Sequence, residues 1–161
     1  MMAIFTVIFI FAGVCSASDD TFSRGTLKGV KGIYVLIEDL PKDIEEKGLT
    51  LGQIQTDVEL KLRMAGIKIL SREESLASKD QPYLYVKLYT KKSVSSFCLN
   101  ISIEFSQKVI LQRTSESADA TTWSTESVGS FGEENIMQIR DAIKDGVDIF
   151  INAYLSINPK K

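Results

Sequence analysis

Residues 97–111 constrain the fold of this chain more than any other stretch. Every second residue is apolar (Phe97, Leu99, Ile101, Ile103, Phe105, Val109, Leu111), with Gln107 the one interruption. Between them stand Cys98, Asn100, Ser102, Glu104, Ser106 and Lys108, with Ile110 the apolar exception. An alternation this long fits a β-strand that turns one face to a core and the other to wetter surroundings. Such a strand would extend for about 50 Å, well beyond the usual roughly 17–20 Å. A bend or bulge is therefore expected near Ser106 and Gln107, where the apolar row breaks.

The neighbouring segments give this strand partners. Pro82 opens a strand with Leu84, Val86 and Leu88 on one face and Tyr83, Tyr85, Lys87 and Tyr89 on the other. The short polar link 91–96 makes these two strands an antiparallel hairpin. After a polar turn at 115–120, residues 121–128, with Trp123, form a further strand that pairs back. Upstream, 33–38 is a strand dense in β-branched and aromatic residues. Its near-continuous apolar character predicts an inner position covered on both faces. Pro41 ends it, and 42–47 is a charged connector with room for one helical turn.

Two helices are written in the spacing. Thr50 and Gln53 make a capping box. Leu51, Ile54, Val58, Leu62 and Ala65 then form one apolar face over about 51–65, and Gly66 supplies the left-handed residue after it. Residues 67–70 read as a short strand, and 71–81 as a polar loop with a helical turn around 73–77. Gly129 to Gly132 turn the chain out of the sheet, and Glu133 and Glu134 suit a helix amino end. Ile136, Ile139, Ile143, Val147, Phe150, Tyr154 and Ile157 then mark a helix over about 134–156, stopped by Asn158 and Pro159. The order is β-α-β-β-β-β-α. It predicts an α+β fold: a mixed, mostly antiparallel sheet with two helices packed on one face, over the apolar row of 97–111.

The amino end reads differently. Residues 1–14 carry no charged side chain, and Cys15-Ser16-Ala17 follows as a small-residue cleavage site. An apolar run of about 12 residues is shorter than the roughly 20 a membrane span needs. Residues 1–17 are read as a signal peptide and 18–161 as a single α+β domain. The chain is then exported, periplasmic or secreted, with no integral membrane span in its mature part. An uncleaved anchor and a lipoprotein acylated on Cys15 are the alternatives, and Val14 disfavours the second. With Cys15 removed or acylated, Cys98 has no cysteine partner in the chain. It is expected to be a small residue tucked under a neighbouring strand or loop, with a reactive thiol as the alternative.

Composition excludes several chemistries. The 161 residues include no histidine, so neither a Ser-His-Asp triad nor a zinc site of the usual type can be assembled within the chain. A net charge of −2 gives no footprint for nucleic acid. No phosphate-binding glycine loop or calcium loop occurs. The acidic pairs Glu38–Asp39, Glu45–Glu46, Glu73–Glu74 and Glu133–Glu134 read as solvated charge. No catalytic, metal-ligating or cofactor-binding residue is assigned, and no cofactor is expected. A non-enzymatic protein that binds a protein or another cell-envelope component is the leading reading. A small hydrolase running on paired carboxylates and a lipid-carrying domain are the alternatives. The candidate binding face comprises Tyr83, Tyr85, Tyr89 and Trp123, aromatic residues suited to a partner surface if no helix covers them.

Three segments carry a resemblance: Gly48-Leu49-Thr50, the run Val58-Glu59-Leu60-Lys61-Leu62-Arg63-Met64-Ala65-Gly66-Ile67, and the DIFINAYLSINPK stretch from Asp148 to Lys160. In them the chain resembles a group of small, uncharacterised bacterial exported proteins. More distantly, the Leu-Arg-x-Ala-Gly-Ile ending followed by strand, loop and hairpin is similar to α/β modules of cell-envelope lipoproteins. Those are the curli-secretion lipoprotein, the lipopolysaccharide-assembly lipoprotein and the amino-terminal domain of the Tol-system propeller protein. The resemblance implies an envelope location and supplies no activity to carry over.

Overall fold

In the computed structural model the described residues are 15–92, 96–132 and 135–159. Five strands form one sheet: β1 (Cys15–Ser18), β2 (Tyr34–Ile37), β3 (Tyr83–Lys92), β4 (Ser96–Ile110) and β5 (Ser117–Gly132). Their spatial order is β1-β5-β4-β3-β2. Only β2 and β3 pair in parallel; the other neighbours are antiparallel. Among the described residues five helices accompany them: α1 (Thr21–Gly25), α2 (Lys42–Glu45), α3 (Leu51–Met64), α4 (Arg72–Ala77) and α5 (Gln138–Ile157). The expected α+β class holds, with α3 and α5 packed against the sheet.

The apolar row organises the core as its alternation requires. Phe97, Leu99, Ile101, Ile103 and Phe105 are all buried. They lie beside Leu84, Val86 and Leu88 of β3 and beneath Ile139, Ile143, Val147 and Phe150 of α5. The β4–β5 register shifts between Phe105 and Ser106, next to the point where the alternation breaks. Phe150 is the aromatic centre: its ring lies 5.1 Å from Trp123, edge-on, and 5.9 Å from Phe105, stacked. Gly146 lets α5 approach β4 closely, because a Cβ there would stand 2.6 Å from Ile103 Cδ1.

Helix α3 begins and ends as its sequence dictates. Thr50 Oγ1 accepts from Gln53 N, and Thr50 N donates to the Gln53 side chain at 3.0 Å. Gly66 follows the helix at φ +82°, a conformation that costs an L side chain energy.

Four expectations are corrected. β2 is an edge strand rather than an inner one: Val35 and Ile37 face the core while Leu36 is 37% exposed. Residues 67–70 contribute only an isolated parallel bridge, Ile33 to Ile69. The Ser71 capping box turns the chain at once into α4, with Ser71 N donating to Glu74 Oε2 at 2.7 Å. β5 outruns the expected 121–128 at both ends because β4 pairs with it down to Ile110↔Ser117. Cys98 is exposed rather than tucked under a neighbour. The reading of Glu133 and Glu134 as a helix amino end lies outside the described residues.

The segment before β2 is a built part of the domain. Asp20 caps α1 through a capping box with Ser23, and Leu27 is fully buried. Asn158 then clasps this segment: its Nδ2 donates to Leu27 O at 2.9 Å, and Gly29 N donates to its Oδ1 at 2.8 Å. Tyr154 adds a third tie, its hydroxyl donating to Val30 O at 2.6 Å.

Candidate functional site

Because α3 and α5 occupy one face of the sheet, side chains of opposite parity stand on the other. On β3 these are Tyr83, Tyr85, Lys87 and Tyr89, as the alternation predicts, and all are at least partly exposed. The parallel pairing of β2 adds residues the sequence did not single out. Tyr34 lies opposite Tyr83, and Leu36 opposite Tyr85. On the other side, β4 places Glu104 opposite Tyr85, Ser102 opposite Lys87 and Asn100 opposite Tyr89.

Trp123 does not belong to this face. It is fully buried on the core side against Phe150. Its indole Nε1 donates to Asp19 Oδ1 at 2.9 Å. The reason is register: Phe105 pairs with Trp123 and Ser106 with Thr121, so the irregularity skips Thr122 and sets Trp123 inward beside Phe105. Tyr83, Tyr85 and Tyr89 stay together, joined by Tyr34 and Leu36.

Several polar groups among these aromatics bond to one another. Glu104 is the hub. It forms an ion pair with Lys87, accepts from Ser102 Oγ at 3.0 Å and accepts from Thr121 Oγ1 at 3.3 Å. Burial disfavours the charged form of Lys87, but the hydrogen bond and charge of Glu104 outweigh it, and Lys87 titrates above its ordinary range. Tyr85 donates its hydroxyl to Glu38 Oε1 at 3.0 Å. Burial first, then the Glu38 carboxylate, push its phenol up to about 12. The Lys87 ammonium lies 5.3 Å from the Tyr85 ring centroid, within the range of a cation–π contact.

The face is therefore a preorganised surface. Tyr89, 53% exposed, and Leu36 border a shallow groove of about 620 Å³ that also takes in Glu38, Pro41 and Tyr85. A carboxyl acting as a general acid works best when its pKa is raised toward neutrality. Among the described residues, the carboxylates with displaced titration are Asp19, Asp20, Asp57, Glu73 and Glu74, and all are displaced downward. The first-ranking causes are Arg24 for Asp19, Arg140 for Asp57, and backbone hydrogen bonds for the other three.

No family model matches the sequence, and no curated protein matches it either. Among solved structures, the chain is similar to PelC of Paraburkholderia phytofirmans, determined as a dodecamer. The TM-score is 0.43 at 12% identity, over 76% of this chain and 91% of that one. A score of that size marks a loose likeness of architecture and says nothing of what either chain binds. No helix among the described residues is long and apolar enough to cross a membrane.

Proposed function

We propose that this chain is a non-enzymatic, exported binding module of the cell envelope, and that its tyrosine face engages a protein partner. One observation carries the reading. Tyr89 and Leu36 are exposed beside Tyr34, Tyr83 and Tyr85, on a sheet face where Lys87, Glu104 and Glu38 are paired within the molecule. Aromatic side chains held on a rigid sheet supply contact area at low ordering cost. Paired charges also leave fewer groups to desolvate on association. Export rests on the uncharged residues 1–14 followed by Cys15-Ser16-Ala17.

The test is a photo-crosslinking amino acid placed at position 89 or 36 in cells, with position 28 as a control away from the face. Discrete adducts from 89 and 36 that are absent from 28 are expected, in the envelope fraction. Adducts from none of the three sites, or the same adducts from the control, would overturn the binding face. Recovery of an uncleaved chain in the cytoplasm would overturn the exported reading.

A further inference from the structure

On its outer side β5 meets only β1, through Cys15↔Glu126 and Ser18↔Ser124. Among the described residues, no strand pairs with β5 on that side from Ser127 to Gly132. The phase of the ladder decides which groups face outward there. Glu38 N donates to Val86 O, so Val86 turns its backbone groups to β2. Ile103, opposite Val86, therefore turns its own to β5, where its partner is Thr125. Antiparallel alternation then points the N–H and C=O of Thr125, Ser127 and Gly129 at β4, and those of Val128 and Ser130 at the open edge. The pairing of β1 with Ser124 and Glu126 has the same phase. Edge strands are commonly guarded by charge or proline; residues 127–132 have neither.

The same stretch borders a groove. A space of about 260 Å³ lies between β5 and the first turns of α5, floored by Leu99, Gly129 and Phe131 and walled by Ile139 and Ala142. Gly129 keeps it open: a Cβ added there would meet nothing within 4 Å. On the helix wall Asp145 is exposed. An open edge strand beside an apolar groove suits the addition of a further strand, in which main-chain hydrogen bonds give affinity and a pocket takes alternate side chains.

We propose that this edge binds an extended peptide segment of a partner protein, antiparallel to β5 and in line with β1. The peptide bonds to the backbone of Val128 and Ser130. It places a large apolar side chain opposite Gly129, in the groove, and turns a lysine or arginine two residues later toward Asp145. The pairing of β1 shows that the edge takes an antiparallel strand. The inference rests on the exported reading, because cleavage after Ala17 removes Cys15 and everything before it and leaves the edge open. It does not involve the tyrosine face, which lies on the other side of the sheet.

The test is calorimetric titration of the mature chain, purified from the envelope fraction, with the acetylated peptide amide Ser-Thr-Val-Phe-Thr-Lys-Ser. In the proposed register its Phe stands opposite Gly129 and its Lys opposite Ser127. Saturable one-site binding is expected. N-methylation of the two residues flanking Phe, which face Ser130 and Val128, should weaken binding about tenfold or more, as the loss of two hydrogen bonds requires. Alanine in place of Phe should weaken it about tenfold or more, and Glu in place of Lys about threefold. Ser130→Pro removes an amide that faces the open edge, where proline is tolerated. It and Gly129→Val should each abolish binding, with Trp123 fluorescence checking that each variant folds. Four results would each overturn the proposal: no saturation by millimolar peptide, the N-methylated peptide binding as tightly as its parent, binding that survives both variants, or a mature chain already dimeric with its copies crosslinking through position 128. An intact mass that retains residues 1–17 would overturn the exported reading and this inference together. Any of the four results with a mature mass would overturn this inference alone.

Discussion

Arg140 of α5 grips Asp57 of α3 with two prongs, Nε donating to Oδ2 at 2.7 Å and Nη2 to Oδ1 at 2.8 Å. This fork geometry matches guanidinium to carboxylate. It joins the two long helices outside the shared apolar core, and its hydrogen bonds hold the Asp57 carboxyl below its ordinary range against the opposing effect of burial. Lys61 reaches across the same helix pair to Asp148 at 2.5 Å.

The sign of the pH dependence follows from that depression. A carboxyl whose folded pKa is lowered stabilises the fold above its unfolded pKa, about 3.9 for Asp. That contribution is lost as pH falls through the lower folded value. Asp57→Asn should therefore lower the melting temperature at pH 7 by a few degrees and narrow the gap between melts at pH 7 and pH 3. An unchanged gap would show that Asp57 contributes nothing to acid sensitivity. Asp19, lowered chiefly by its hydrogen bonds to Arg24, should add to the same acid limb.

Trp123 ties the amino-terminal segment to the core through Asp19. Trp123→Phe keeps an aromatic ring against Phe150 and removes the indole donor, which should cost about 1–2 kcal/mol in denaturant unfolding. Trp123→Ala empties the site and should cost about 3–5 kcal/mol. A Trp123→Phe variant as stable as the wild type would mean that the Asp19 contact contributes nothing.

At Gly146 two effects compete. Alanine is the better helix former by about 1 kcal/mol, but its Cβ would sit 2.6 Å from the Ile103 Cδ1 methyl. Overpacking a filled core costs about 1–3 kcal/mol. Gly146→Ala should therefore be destabilising in the wild-type background and stabilising in an Ile103→Val background, where that methyl is gone. Additive effects in the double-mutant cycle would count against this contact.

The tyrosine face should be thermodynamically quiet. Tyr89→Ala changes an exposed residue and should move stability by no more than about 0.5 kcal/mol, while removing the crosslinks expected from that face. Cys98 lies on the same strand as Asn100 and Glu104 and is exposed. A maleimide should label it in the folded protein, and a bound partner should slow that labelling; equal rates with and without partner would place the contact elsewhere.

Much of this architecture could be read from local pattern. The alternation over 97–111 located β4, and the Gln107 interruption fell beside the register shift at Phe105 and Ser106. Thr50, Gln53 and Gly66 marked the limits of α3 almost to the residue. What escaped depended on partners. Residues 33–38 look equally apolar at an edge or in the middle of a sheet, and only the pairing partner decides. Ala118, Ala120 and Gly129 are weak strand formers, yet pairing with β4 carries β5 through them. Trp123 was assigned to the wrong face because one skipped residue reverses which side a strand residue occupies. The same dependence on pairing hid Tyr34 and Leu36, which join the tyrosine face only because β2 lies parallel to β3.

That parallel pairing also sets an order of assembly. The hairpins β3–β4 and β4–β5 join neighbours in sequence and can zip from their turns, whereas β2 reaches β3 only after residues 38–82 have been gathered across the sheet. Closing a long loop has an entropic cost that short hairpins avoid. The three antiparallel strands should therefore form an early nucleus, with β2, and with it one wall of the tyrosine groove, docking late. In native-state hydrogen exchange, the amides of Tyr34 and Glu38, which donate to Pro82 O and Val86 O, should open at lower free energy than those at the centre of β4.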